Sequence, residues 1–199
     1  MASKKPRDRY HHGDLRAALL EVAVTVIAER GLHGLSLREC ARRLGVSHAA
    51  PYRHFADKSA LLVALAGEGF RRLAESGREA MAGVADPHDR LRAYGVAYVR
   101  FAFEHPQHHR VMFGAEFDHG AVPPEDELAG NDAFELLRAT AAEATGLSGG
   151  EEMPATLAFW SLAHGLSMLL IDGRIPPEHI ETPEAIEALA ASVFAHLRT

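Results

Sequence analysis

The stretch SLRECARRLGVSHAAPYRHF, residues 36–55, constrains this chain more than any other. Ser36 followed three residues later by Glu39 has the pattern of a capping box, in which each side chain satisfies the other's orphan backbone N–H at a helix start. Leu37, Cys40, Ala41 and Leu44 then form one apolar face, leaving Arg38, Glu39, Arg42 and Arg43 outside. Gly45 supplies a left-handed stop, Val46 plugs back into the core, and Ser47 caps a third, very short helix. Two short helices joined by a glycine-containing turn form a helix-turn-helix. Counted from Ser47, Pro51 is the fourth helical residue, so it forfeits only the first intrahelical hydrogen bond and turns its ring toward a preceding helix. Ala49 and Ala50 are small at the position where a recognition helix must bring its backbone close to base edges.

The rest reads as helix nearly throughout, with no strand pattern, repeat or low-complexity segment. Leu15, Ala18, Leu19, Val22 and Val26 recur at helical spacing, predicting a first helix over residues 14–30 capped by Asp14 and stopped at Gly31. A long helix leads away from the motif, with Asp57 as its cap and Ala-Asp-Pro at 85–87 as its end. Five further apolar-periodic segments follow, separated by Gly and Pro, for about nine helices in an all-α chain. The single cysteine, Cys40, excludes an internal disulfide and is expected in the core. The first fourteen residues are polar and basic with no apolar run, so a cytoplasmic protein without a membrane segment is expected. The net charge of −6 hides an asymmetry: residues 1–58 hold eleven cations and six anions, and the remaining 141 hold ten and twenty-one. A basic head on an acidic body approaches a polyanion head first.

Residues 15–62, and above all SLRECARRLGVSHAAPYRHFADKSALL, resemble the DNA-binding domain of TetR-family transcriptional regulators. The resemblance implies a flexible basic arm at 1–12, a three-helix helix-turn-helix domain at 13–58, and a helical ligand-binding and dimerisation domain at 59–199. It implies phosphate contacts from Ser36, Tyr52, His54 and Lys58, with Ser47 at the turn and Arg42 and Arg43 as further backbone contacts. His48, Ala49, Ala50 and Arg53 become the base-facing candidates. The expected partner is a palindromic double-stranded DNA operator, and the expected output is repression relieved by a small effector. Trp160, His164 and Gly165, preceded by His105, Pro106 and Arg110 to Phe113, also resemble a C-terminal subclass with a Trp-x-x-x-His-Gly signature.

Residues 155–171 are apolar almost all round, interrupted by Thr156, Ser161, His164 and Ser167 and without basic flanks, which suits a buried helix better than a membrane span. With the stripe Ile186, Leu189, Ala190, Val193, Phe194 and Leu197 it suits a homodimer through the last two helices, two from each subunit. Candidates for an effector pocket are Tyr94, Tyr98, Phe101 and His105 on one helix face, with Met112, Phe113, Phe117, Phe134, Trp160, His164 and Met168. Aromatic and methionine stripes at helical spacing usually make a plain core; a cavity among them would favour a hydrophobic or aromatic ligand. His105, His108 and His109 sit close in sequence, but Pro106 is expected to break the helix between them, and neither a metal nor a cofactor is expected. Two other classes are a metal- or His-dependent enzyme and a helix-turn-helix module that grips protein. No nucleophile elbow, paired-His zinc motif or phosphate loop supports the first.

Overall fold

The computed structural model describes residues 15–114 and 124–196. The arm at 1–12, Asp14, Phe117 and Leu197 lie outside the described residues. Eight α-helices occur among those described: α1 (Leu15–Arg30), α2 (Leu37–Leu44), α3 (Lys58–Met81), α4 (Pro87–Glu104), α5 (Pro106–Phe113), α6 (Pro124–Thr145), α7 (Met153–Ile171) and α8 (Pro183–Ala195). Short 3-10 turns at Leu32–Gly34, Pro51–Arg53 and Pro177–His179 punctuate them, and no strand is present among the described residues. The chain divides into two compact units, Met1–Ala64 and Leu65–Thr199, with the division inside α3.

In the first unit α1 buries Leu15, Leu19, Leu20, Ala23, Val26 and Ile27, and α2 sets Leu37, Cys40 and Ala41 against it. Cys40 is fully buried, and desolvation pushes its thiol above the usual range, which leaves it an inert core residue. Glu39 N–H donates to Ser36 Oγ at 3.1 Å, one half of the capping box. The other half is replaced, because the Glu39 carboxylate turns to the arginines of its own helix. At the far end Gly45 takes φ 66°, Val46 N–H reaches Ala41 O at 3.1 Å and Gly45 N–H reaches Arg42 O at 3.3 Å. These are the paired bonds of a Schellman stop, which only a residue content at positive φ completes cheaply.

The expected third helix is tighter than α. Ser47 O accepts from Ala50 N–H at 2.9 Å, and the 3-10 turn Pro51–Arg53 follows directly. Pro51 has no N–H to return to Ser47 O, so the carbonyl closes on the residue three ahead instead of four. This turn accounts for the difference between nine expected helices and eight. The long helix also ends earlier than expected, at Met81, where Gly83 adopts φ 78° and Val84 N–H caps Met81 O. Ala-Asp-Pro opens α4 instead of closing α3: Asp86 Oδ1 accepts from Asp89 N–H at 2.9 Å and Pro87 takes the first helical position.

In the second unit α4 is the central helix, flanked by α6, α7 and α8. Gly95 lets the stacked rings of Phe159 and Phe194, 4.9 Å apart, lie on its backbone; a Cβ there would sit 2.6 Å from Phe194 Cζ. Glu152, almost fully buried at the α6–α7 turn, binds Arg138 at 2.5 Å and accepts from Gly150 N–H at 2.9 Å. Its carboxyl is held below the usual range by its own backbone N–H and then by Arg138.

Candidate nucleic-acid interface

The turn from Ser47 to Ala50 lies on the surface, with Ser47, His48 and Ala49 exposed and Ala50 half-buried, while Pro51 beneath them is buried against α1 and α2. The proline thus anchors the segment from below and leaves its outward side lean. Tyr52, Arg53 and His54 follow on the exposed side, Tyr52 at 49 % exposure. Phe55 turns back into the core under the Arg16 guanidinium, 5.4 Å from the ring centre. Tyr52 and Phe55, adjacent types in a polar stretch, therefore take opposite roles.

Ser36 is exposed, and its oxygen is already an acceptor at the α2 N-terminus, which leaves its O–H to donate outward. Lys58 Nζ donates to Leu32 O at 2.6 Å, tying the start of α3 to the α1–α2 connection with two protons remaining. Arg42 and Arg43 are more committed. Arg42 grips both Glu39 oxygens at 2.8 and 2.7 Å, and Arg43 bridges Glu39 at 2.9 Å and Glu29 of α1 at 2.5 Å. Arg30 adds a third cation 3.4 Å from Glu39. Arg42, then Arg43, hold the Glu39 carboxyl down at about 2. Arg53, by contrast, makes no ion pair with a described residue. The surface left for an anion is a lean turn bordered by hydroxyls, imidazoles and cations, the group types that bind phosphate oxygens and base edges.

The pocket candidates in the second unit divide between two places. Tyr98, Phe113, Phe134 and Trp160 form an aromatic cluster with His164, and with Tyr94 they line a cavity of about 30 Å³. Tyr98 Oη lies 3.0 Å from His164 Nδ1 and accepts from Trp160 Nε1–H at 3.4 Å. Phe101 and His105, expected on the same helix face, instead line a groove of about 810 Å³ with Arg72, Glu75, Arg100 and Glu104. Met112 is fully buried against Gly69, and Met168, half-buried on α7, lines neither space. The sequence reading missed Phe70, Leu73, Gly130, Ala133 and Leu137 as cavity walls. It weighed His109 as a metal ligand against a plain surface or core histidine, and the structure buries it. Pro106 does end the preceding helix but starts α5, which carries His108 and His109 inward. No group of metal-binding side chains is found among the described residues.

Comparison with known proteins follows this division. Residues 19–65 match the profile described as bacterial regulatory proteins, tetR family, and residues 91–196 match the tetracyclin repressor-like C-terminal domain. Over 115 residues the chain is 31 % identical to the HTH-type transcriptional activator FasR of Mycolicibacterium smegmatis, covering 58 % of this chain and 50 % of that protein. It is 35 % identical over 80 residues to the HTH-type transcriptional regulator BetI of Yersinia pestis, 39 % of this chain and 40 % of that protein. The chain thus spans half or less of the length of these curated relatives in the regions that match. A solved structure of a protein of unknown function from Rhodococcus sp. RHA1 superposes with a TM-score of 0.77 at 32 % identity, over 97 % of this chain and all of that one. With two family profiles placed on its two compact units and a helix-turn-helix bearing an outward lean turn, this chain belongs to the TetR family of bacterial transcriptional regulators.

Proposed function

We propose that the chain is a sequence-specific DNA-binding repressor, active in the cytoplasm as a homodimer and released from a palindromic operator by a small hydrophobic or aromatic effector. The observation that supports it most is the exposed His48–Ala49–Ala50 turn, underpinned by Pro51 and flanked by Ser36, Tyr52, Arg53, His54 and Lys58. In this reading the turn enters the major groove, with His48, Ala49, Ala50 and Arg53 toward bases, and Ser36, Ser47, Tyr52, His54 and Lys58 toward phosphates. Arg43 acts mainly by holding α2 on α1 through Glu29, while Arg42, paired only with Glu39 of its own helix and the more exposed of the two, is the better placed to reach a phosphate.

The α8 stripe expected at the interface is in part spent inside the subunit, where Ile186, Ala190 and Phe194 are buried against α4, so dimerisation is assigned instead to the outer faces of α7 and α8. Leu157 and Leu169 are 44 % and 50 % exposed, Ala158, Ser161 and Gly165 lie exposed between them, and Ala188, Ala191 and Ala195 are exposed on α8. Two recognition turns about 34–36 Å apart then meet successive turns of one duplex face. Membership of the Trp-x-x-x-His-Gly subclass belongs to the same reading: Trp160 and His164 face the aromatic cluster, and Gly165 lies outside. Coupling runs along α3, which continues from the first unit into the second without a break. Activation is the alternative output, favoured by the activator name of FasR.

The test is fluorescence anisotropy on DNA from upstream of the protein's own gene, at 50 and 200 mM salt. Six to ten phosphate contacts predict a loss of about 10³–10⁵ in affinity between those concentrations. Binding that ignores salt, or no binding to any fragment, removes the proposal. A reporter behind the bound fragment separates repression from activation.

A further inference from the structure

The feature of the second unit that its packing does not explain is His109. Its side chain is fully buried, and neither ring nitrogen has a hydrogen-bond partner. It stacks on His164 with centroids 5.1 Å apart and meets Phe113 at 4.9 Å and Tyr98 at 5.9 Å. A neutral imidazole carries one donor and one acceptor, and each buried without a partner forfeits the full cost of its dehydration. Buried polar groups are nearly always satisfied, so a fully orphaned ring calls for a missing partner. A phenylalanine would fill the same volume with no such cost.

The surroundings say what the partner must be. Beside His109, Tyr98, His164 and Trp160 already satisfy one another, and Tyr98 and Trp160 form one wall of the small cavity, whose other walls are Phe70, Phe134, Gly130 and Ala133. About 30 Å³ holds a water or two and neither His109 nor His164 is among its walls, so an organic ligand must displace the Phe113 ring, which lies against both the cavity and His109, to reach the orphaned nitrogens. Phe70, Phe113, Phe134 and Trp160 are only half-buried, and the small Gly130 and Ala133 stand opposite them. Among the described residues no lysine or arginine side chain lines the cavity. Arg110, the cation of α5, reaches away to Ile171 O at 3.3 Å. Burial pushes His109 down to about 3, followed by the neighbouring His164 and Arg110, so the ring offers an uncharged donor and acceptor.

We propose that His109, with Tyr98 and His164 beside it, is the polar end of a buried site for an uncharged ring or chain compound carrying one hydroxyl-class group. A carboxylate would enter between walls that carry no cation, with Arg110 engaged at Ile171 O, and is rejected. This rests on the effector-controlled reading above and adds the chemistry of the effector.

Trp160 is the only tryptophan in the chain and lines the cavity, so its fluorescence reports occupancy directly. The purified full chain is titrated, without DNA, with 4-propylphenol, propylbenzene and 4-propylbenzoate at pH 7. The phenol is expected to bind about tenfold or more tighter than the hydrocarbon, since only it pairs the orphaned nitrogens, and the benzoate not to bind. In the His109→Phe variant the melting temperature rises by about 2–4 °C and the phenol preference falls to parity. The proposal is overturned if phenol and propylbenzene bind the native chain alike, if the benzoate binds as well as the phenol, or if no probe binds. A variant that keeps the preference overturns it too, and the native-chain series stands even where the variant does not fold. Because no DNA is present, failure here leaves operator binding and release untouched, and absence of ligand-driven release would leave a positive result standing.

Discussion

At the scale of single residues, exposure separates side chains that serve the fold from those available to a partner. Tyr52 is half exposed in a unit whose other aromatic in the turn, Phe55, is buried. Tyr52→Ala is therefore expected to leave thermal stability within about 0.5 kcal/mol of the parent and to lower operator affinity about tenfold. Melting curves beside anisotropy titrations check this, and unchanged affinity would take Tyr52 out of the interface. Lys58 is a mixed case because its ammonium also holds Leu32 O. Lys58→Met should lower the melting temperature slightly and reduce the salt slope of DNA binding by about one; a stability loss with an unaltered slope would make it a structural residue alone. In the second unit, Gly95→Ala drives a Cβ into the Phe159–Phe194 stack and should cost about 1–3 kcal/mol by urea denaturation, despite alanine's better helix propensity. Much of this scale was legible beforehand. The lean turn, the cap Ser36 and the stop Gly45 follow from local stereochemistry, which a sequence states openly. The orphaned state of His109 was not, because it depends on what α4 and α7 bring to either side of the ring.

At the scale of elements, the charges of α2 act as a clamp on α1. Glu39 sits where Arg30 and Arg43 converge from two helices, with Glu29 completing the bridge. Sequence reading placed Arg42 and Arg43 on the outer face and so offered them to phosphate; the pairing with Glu39 at three and four residues' spacing was visible, but Glu29, fourteen residues away, was not. The clamp has a pH signature. Glu39 titrates at about 2 in the folded chain against an ordinary 4.5, so the unfolded chain binds more protons in that interval. The stability Glu39 contributes is intact above about pH 4.5 and is lost as pH falls through about 2. Replacing Glu39 by Gln should therefore lower the melting temperature at pH 6, and the gap between variant and parent should shrink to a small fraction on acidification to pH 2.5. A gap that stays constant would show that Glu39 acts through packing and not through charge. The two departures from the expected elements have one cause. Pro51 and Gly83 dictate local backbone closure that outranks the apolar period around them, turning an expected α-helix into a 3-10 turn and ending α3 at Met81.

At the scale of the whole molecule, α7 presents the sharpest mismatch between composition and burial. It is long and apolar enough to cross a bilayer by those measures alone, yet only 28 % of it is buried in the chain, and its outer positions Leu157, Ser161, Gly165 and Leu169 lie exposed four residues apart, with Ala158 beside the first. A helix stripe of that kind, small in the middle and leucine at the ends, fits against a second copy of itself with Gly165 allowing close approach. If it does, operator recognition is bivalent: each recognition turn binds its half-site weakly, and tethering the second raises its effective concentration to about the millimolar range. Leu169→Glu places a carboxylate at one end of that contact, where burial without a cation is unfavourable. The variant should run at the monomer mass of 21.6 kDa in native mass spectrometry while keeping its helical circular dichroism, and its operator affinity should fall by about 10² or more because only one turn engages at a time. Binding to a single half-site should be unchanged. A variant that stays dimeric, or a monomer that holds the full operator as tightly as the parent, would move the assembly surface off α7 and dissociate recognition from dimerisation.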